Sequence, residues 1–158
     1  MNQDEIKKRF EYKDGKLLNK IKTLKKNIGD EVGCVNTAGY KVVRIQKKLM
    51  LVHRLIWLMH YGSLPKYIDH IDGNKLNNCI SNLRAATPSQ NSCNSKRKQS
   101  NLSGVKGVSF YKPNQKWSVQ IMVNYKKLFY GYYVHKDIAE TIAMLTRIKH
   151  HGEFANHG

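Results

Sequence analysis

The chain reads as α+β: N-terminal β-hairpins lead into a strand–loop–strand–helix (ββα) module, and a small three-stranded antiparallel sheet plus helix domain follows. Three observations predict this. In residues 1–50 the Asp14-Gly15 pair is a hairpin signal, and Gly39 precedes an alternating run of Tyr40, Val42, Val43 and Ile45. Residues 67–94 pass from a short β-type stretch through an Asn-rich loop and an apolar return to a helix start. Residues 104–155 hold three runs of period two and then one of helical period.

Taken in order, residues 1–50 read as short strands and turns. Lys20, Lys22, Lys25 and Lys26 form a basic stretch before Gly29 that suits a solvated loop and a phosphate contact equally. Lys47-Lys48 turns the chain into residues 49–51. Residues 52–61 (VHRLIWLMHY) have helical period, with Leu55, Ile56, Met59 and Trp57 available to a core, and Gly62 and Pro65 stop the helix. His60 is a plain surface or core histidine.

In the module that follows, Tyr67 and Ile68 end in an acid and an imidazole side by side, Asp69 and His70. The loop carries Gly73 with Asn74, Asn77, Asn78 and Asn82, and Leu83 begins the return. Thr87 can cap the open N–H groups of a helix, Pro88 suits its first position, and Gln90 completes a capping box. Asn91 and Asn94, three apart, share one face of its opening turns and can look back at Asp69 and His70.

Residues 95–103 (SKRKQSNLS) are polar and basic without apolar period, a linker whose Lys96, Arg97 and Lys98 suit backbone phosphate and add affinity without reading sequence. Beyond it, residues 105–111, 117–124 and 127–133 alternate, separated by turn-like 112–115 and 124–126. A helix over 137–150 puts Ile138, Ile142, Leu145 and Ile148 along one side, with Asp137 at its N-terminus. If Val108, Phe110, Val119, Ile121, Leu128 and Tyr130 face that helix, alternation sends Lys106, Ser109, Tyr111, Gln120, Met122, Lys127 and Phe129 outward. A sheet face with amide, cationic and aromatic side chains suits the DNA major groove, where it can meet base edges and thymine methyls.

Composition narrows the partner. Over 158 residues, 28 Lys+Arg against 11 Asp+Glu give a net charge of +17. Such an excess favours a polyanion, because Lys and Arg release the counterions condensed on phosphates. A membrane surface would draw the same charge, but no long apolar run, secretory leader or basic amphipathic helix accompanies it. The three cysteines, Cys34, Cys79 and Cys93, are scattered and form no C-x-x-C pair. Free thiols in a reducing interior are expected, and no structural zinc. His150 and His151 sit near a helix end, where cations are favourable.

The chemistry these parts can do is metal-assisted hydrolysis of a phosphodiester. The Asp69 carboxylate and Asn91 amide are hard oxygen ligands, suited to Mg²⁺ (or Mn²⁺) that takes its remaining ligands from water and substrate phosphate. A neutral His70 can strip the proton from an attacking water.

This arrangement resembles the HNH (ββα-metal) nuclease family in its phage and homing-endonuclease branch. The resemblance rests on Asp69-His70, the run DHIDGNKLNN, Asn82-Leu83-Arg84 and Thr87-Pro88-Ser89-Gln90-Asn91. It implies His70 as general base, Asp69 as first metal ligand, Asn82 as the residue that ties the loop and positions the base, and Asn91 as second metal ligand. The last position is Asn where the family has His or Asn. His53-Arg54 also recur in that branch. His53 then either positions the scissile phosphate or bonds the module's backbone, and Arg54 contacts the phosphate. Arg84 either clamps phosphate or pairs with a carboxylate in the fold.

The C-terminal unit resembles the ethylene-response-factor (APETALA-type) DNA-binding domain. The matching residues are Gly104-Val105-Lys106-Gly107-Val108, Lys116-Trp117, Ile121, Tyr130-Gly131-Tyr132, Ala139, Ala143 and Gly152-Glu153-Phe154-Ala155. Plant members carry arginines and tryptophans where this chain has Ser109, Tyr111, Met122 and Phe129, so the resemblance implies fold and DNA binding but not the plant target.

Together these imply a nuclease domain over 1–94, a basic linker over 95–103 and a DNA-binding domain over 104–158. The implied activity is site-specific cleavage of double-stranded DNA, of homing type, by a monomer or homodimer. The implied setting is cytoplasmic, inside a phage-infected bacterial host. The rival from another class is a non-catalytic DNA-binding regulator with an inactive nuclease module. An RNA-binding or RNA-cutting protein is weaker, since the sheet lacks a single-strand stacking pattern.

Overall fold

A computed structural model describes residues 2–24 and 26–158, so Lys25 of the basic stretch lies outside the described residues. The chain divides into two compact units, Met1–Ala85 and Ala86–Gly158.

The first unit opens with a helix, α1 (Gln3–Arg9), where strands and turns were expected. A capping box starts it: Asn2 Oδ1 accepts from the Glu5 amide at 2.9 Å, and Glu5 Oε2 accepts from the Asn2 amide at 3.1 Å. Its seven residues bury only Ile6, too few for a visible apolar period. Strands β1 (Phe10–Lys13) and β2 (Lys16–Asn19) pair antiparallel through Asp14 and Gly15, both left-handed at φ 47° and 79°. A Cβ on Gly15 would fall 2.8 Å from the Cys79 amide nitrogen, so glycine lets this turn press against the Asn-rich loop.

Strands β3 (Cys34–Val35), β4 (Lys41–Ile45) and β5 (Lys48–Leu51) form an antiparallel sheet. The β4–β5 turn falls on Gln46-Lys47, one residue before the expected Lys47-Lys48, since both these residues take left-handed φ. Helix α2 (Val52–Tyr61) follows at once and ends on left-handed Gly62. It drives Val52, Leu55, Ile56, Leu58 and Met59 into a core with Ile6, Phe10, Leu17, Ile45 and Leu83, and Trp57 packs at the edge. Strand β6 (Tyr67–His70) then pairs with β7 (Leu83–Ala86), bracketing the Asn-rich loop, which ends in a 3₁₀ turn over Ile80–Asn82.

The second unit begins with helix α3 (Pro88–Cys93). Thr87 Oγ1 accepts from the Gln90 amide at 3.2 Å and Gln90 Oε1 from the Thr87 amide at 2.7 Å, forming the expected capping box. The division at Ala85 precedes the expected boundary at residue 94 because α3 is tied into the C-terminal segment. Lys106 Nζ reaches the Cys93 carbonyl at 2.8 Å, and Asn156 Nδ2 reaches the Asn94 carbonyl at 2.9 Å.

Strands β8 (Val108–Tyr111), β9 (Lys116–Val123) and β10 (Lys126–Tyr133) form one antiparallel sheet in the order β10-β9-β8. Helix α4 (Lys136–His151) packs over Val108, Val119 and Ile121. Three expectations are corrected here. The face of α4 that goes inward is Ala139, Ala143, Thr146 and Arg147, with Ile142 at its border, while Ile138, Leu145 and Ile148 are about half-exposed. Small residues let the helix lie close to the sheet, so the larger apolar stripe turns outward. Phe110 is on the helix side by alternation but lies at the strand's far end, 44% exposed and 5.1 Å from the Trp117 ring. Lys106 precedes β8 and follows no alternation, because left-handed Gly107 (φ 81°) reorients the chain before the strand begins. No described helix is long and apolar enough to cross a membrane.

Candidate functional site

Asp69 and His70 end β6, both buried. Arg84, across the pairing on β7, donates from Nε at 2.9 Å and Nη2 at 2.8 Å to Asp69 Oδ2. Of the two roles open to Arg84, the fold realises the carboxylate pair.

The His70 ring is fixed from the loop. Nε2 lies 3.0 Å from Asn78 Oδ1, and Asn78 is itself buried. An amide oxygen only accepts, so Nε2 is the donor in this contact. The sequence placed Asn78 among the loop asparagines without assigning it this contact.

Asn82 braces the same loop. Its Oδ1 accepts from the Asp72 amide at 3.1 Å, and its Nδ2 donates to Asp72 Oδ1 at 2.9 Å and to the Asn77 carbonyl at 2.8 Å. Burial pushes the Asp72 carboxyl up, but hydrogen bonds from Asn77, the Asn74 amide and Asn82 outweigh it and hold the pKa below the ordinary carboxylate value. Asn82 therefore ties the loop, and Asn78 makes the contact to the imidazole.

His53, in the first turn of α2, is buried with its ring centroid 4.9 Å from that of His70, edge to face, and 5.5 Å from Tyr40. Burial, with His70 and Arg54 adding to it, pushes its pKa down to about 3, so the ring is neutral. Its Nδ1 is buried without a partner. Arg54 donates to the carbonyls of Lys66 and Pro65 at 3.3 and 3.2 Å, holding the chain that enters β6.

Asp69, His70 and Asn82 belong to the first unit and Asn91 to the second. Asn91 is exposed on α3, its backbone N–H donating to the Thr87 carbonyl at 2.9 Å. Asn94 does not share that position: it caps the helix C-terminus, buried, with Asn156 on its carbonyl and on its Oδ1. The donor types of Asp69 and Asn91, one carboxylate and one amide oxygen, fit a hard divalent ion that keeps several waters. Cys34, Cys79 and Cys93 are all free thiols.

On the second unit, Ser109, Tyr111, Gln120, Met122, Lys127 and Phe129 are exposed as expected. Tyr132, which strand alternation alone would turn toward the helix, joins them: its ring lies 5.2 Å from Tyr111 and 4.9 Å from Phe129. A bulge between Phe129 and Gly131 shifts the register and brings Tyr132 opposite Ser118, on this face. Lys96, Arg97 and Lys98 are exposed, with Arg97 donating to the Asn101 carbonyl at 3.0 Å. Lys106 is half-buried, its ammonium on the carbonyls of Cys93 and Ser95, so it is absent from the sheet face.

Residues 50–93 match the HNH endonuclease family. The chain carries an HNH domain. It is 40% identical over 107 residues to Protein 3.8 of Escherichia phage T7, covering 65% of this chain and 86% of that one, and belongs to one family with it. It is 51% identical over 75 residues, 46% of this chain, to a protein of Acanthamoeba polyphaga mimivirus named as an HNH endonuclease. It is 43% identical over 55 residues, 34% of this chain, to an SPbeta prophage-derived protein of Bacillus subtilis named as an HNH homing endonuclease. These alignments span only 39% and 32% of the two HNH-named relatives. No solved structure matches at a significant level. The HNH domain holds β6, the Asn-rich loop, β7 and α3, and therefore all four residues expected to be catalytic.

Proposed function

We propose that this chain is a site-specific DNA endonuclease of homing type that hydrolyses one phosphodiester per event, with His70 as general base. The observation that carries this is the buried Asp69–His70 pair, with Arg84 on the carboxylate and Asn78 holding the imidazole. His70 takes a proton from water as the water oxygen bonds to phosphorus and the bond to the leaving sugar oxygen breaks. Asn78 holds the ring for that transfer, and Asn82 keeps the loop that carries Asn78 in place. Mg²⁺ or Mn²⁺, held by Asp69 and Asn91, supplies positive charge against the phosphoryl and leaving oxygens when bound. That Asn91 joins Asp69 at one ion is part of the proposal.

The second unit works as an APETALA-type DNA-binding domain. Gln120, Met122, Lys127 and Phe129 reach base edges, and Lys96, Arg97 and Lys98 reach phosphates. The partner is double-stranded DNA, met inside an infected bacterium. One site per chain makes a monomer a nicking enzyme, while a double-strand cut takes a homodimer or two events.

Incubation with supercoiled plasmid tests this. Nicking that requires Mg²⁺ or Mn²⁺ and disappears in His70→Ala, with binding retained, is expected. Binding without cutting under any divalent ion makes the protein a regulator instead.

A further inference from the structure

Pairing with β8 stops at Val108, where that strand begins, so the second half of β9 has no strand partner on that side, and a cavity of about 310 Å³ opens there within the second unit. Lys98, Lys106, Arg147, His151 and Gln120 line it, and among the described residues no carboxylate does. Arg147, from α4, is 2% exposed. Its Nη1 donates to the Lys106 carbonyl, and its Nε sits 3.4 Å from His157 Nδ1. Asp137 and Glu140 share a neighbouring hollow with Arg147 but form no ion pair with it, and Glu140 pairs with Lys136 at 3.2 Å.

The cavity is built to keep this charge in place. Gly107 (φ 81°) lies against the guanidinium, and a Cβ there would fall 2.7 Å from Ile121 Cδ1, 2.9 Å from the Gln120 carbonyl and 3.4 Å from Arg147 Nη1. His151 Nε2 lies 2.8 Å from the Met122 carbonyl, and its Nδ1 is buried without a partner. Burial alone pushes the Arg147 pKa down, and burial with the nearby Arg147 does the same for Lys106. Arginine does not shed its proton in proteins, so this charge persists and calls for a counter-charge.

We infer that this cavity binds a phosphate group, with the buried Arg147 guanidinium as its anchor and Lys98, Lys106 and His151 around it. Arginine suits the site because its fork of N–H donors matches phosphate oxygens. The phosphate is either one from a DNA backbone lying along the Gln120–Met122 edge of the sheet, or free inorganic phosphate. The first source rests on the DNA-binding reading above; the site itself does not.

The test is a titration of the full chain with inorganic phosphate at constant ionic strength, followed by the imidazole NMR signals of His151 and His157. A saturable shift that chloride does not produce is expected, with the midpoint raised about tenfold or more in Arg147→Met. If Arg147→Met does not fold, Lys98→Gln and Lys106→Gln serve, and each must weaken the same shift. A shift that never saturates, or that is equal in the folded variants, overturns the proposal. A duplex then separates the sources. Displacement of phosphate by DNA, with the slope of log affinity against log salt reduced by about one in the variant, assigns the site to the backbone. Phosphate retained beside bound DNA, with the slope unchanged, assigns it to the free anion. Loss of plasmid nicking with phosphate binding intact counts against the nuclease reading alone.

Discussion

His53 is neutral in the fold, its pKa pushed to about 3 by burial first and by His70 and Arg54 after it. The unfolded chain takes up a proton at this residue near pH 6.5. Between those values the native state binds fewer protons, so the stability is fully present above about pH 6.5. It is lost on acidification towards 3, at a slope of up to about 1.4 kcal/mol per pH unit. Other groups titrate in the same window, so the comparison is with His53→Phe, whose melting temperature should fall less steeply between pH 7 and 4. Identical slopes would exclude His53 as the source. Asn78 is a second test at this scale, because its side-chain oxygen holds the His70 ring from 3.0 Å. Asn78→Ala leaves Nε2 unmatched in a buried site, which costs about 1–3 kcal/mol of stability. Cleavage should slow by about 10–100-fold with DNA affinity little changed, as when an orienting group is lost. An equal loss in Asn82→Ala would show that loop closure matters more than the ring contact.

At the scale of elements, local chemistry was legible wherever it decides structure by itself. Asp14-Gly15 gives its hairpin, Thr87-Pro88-Ser89-Gln90 its capped helix, and the three alternating runs their sheet. Helix α1 was missed although Asn2 and Glu5 spell its capping box, because seven residues with one buried side chain carry no period. The orientation of α4 is hidden in the sequence for a different reason. Apolar size points to Ile138, Leu145 and Ile148, but close approach to the sheet selects Ala139 and Ala143. Packing, which no single sequence window contains, settles between them. Stability measurements separate the two faces. Ile148→Gln should change unfolding free energy by within about 0.5 kcal/mol. Ala143→Leu, forced into a filled interface, should cost about 1–3 kcal/mol. The reverse order would restore the larger stripe as the buried side.

At the scale of the whole molecule, adjacency in sequence made half of the candidate site legible: Asp69 and His70 are neighbours on one strand end. Which loop asparagine meets the imidazole was not, because Asn74, Asn77, Asn78 and Asn82 look alike until the loop closes and puts Asn78 on the ring and Asn82 on Asp72. Charge was legible in amount but not in use. Of the +17 the chain carries, Arg84 is committed to Asp69, Arg54 to carbonyls, and Arg147 and Lys106 to a cavity whose rim includes Lys98, while Lys96, Arg97, Lys98 and Lys127 are exposed. Exposed cations and reading residues should then separate in one experiment. Replacing Lys96, Arg97 and Lys98 together by Ala removes up to three phosphate contacts. The slope of log affinity against log salt should fall by about 2–3, equally for cognate and random duplexes. Gln120→Ala should leave the slope unchanged and narrow the gap between cognate and random DNA by about 1–3 kcal/mol. If the triple variant changes preference between sequences instead, the linker reads bases and the sheet does not.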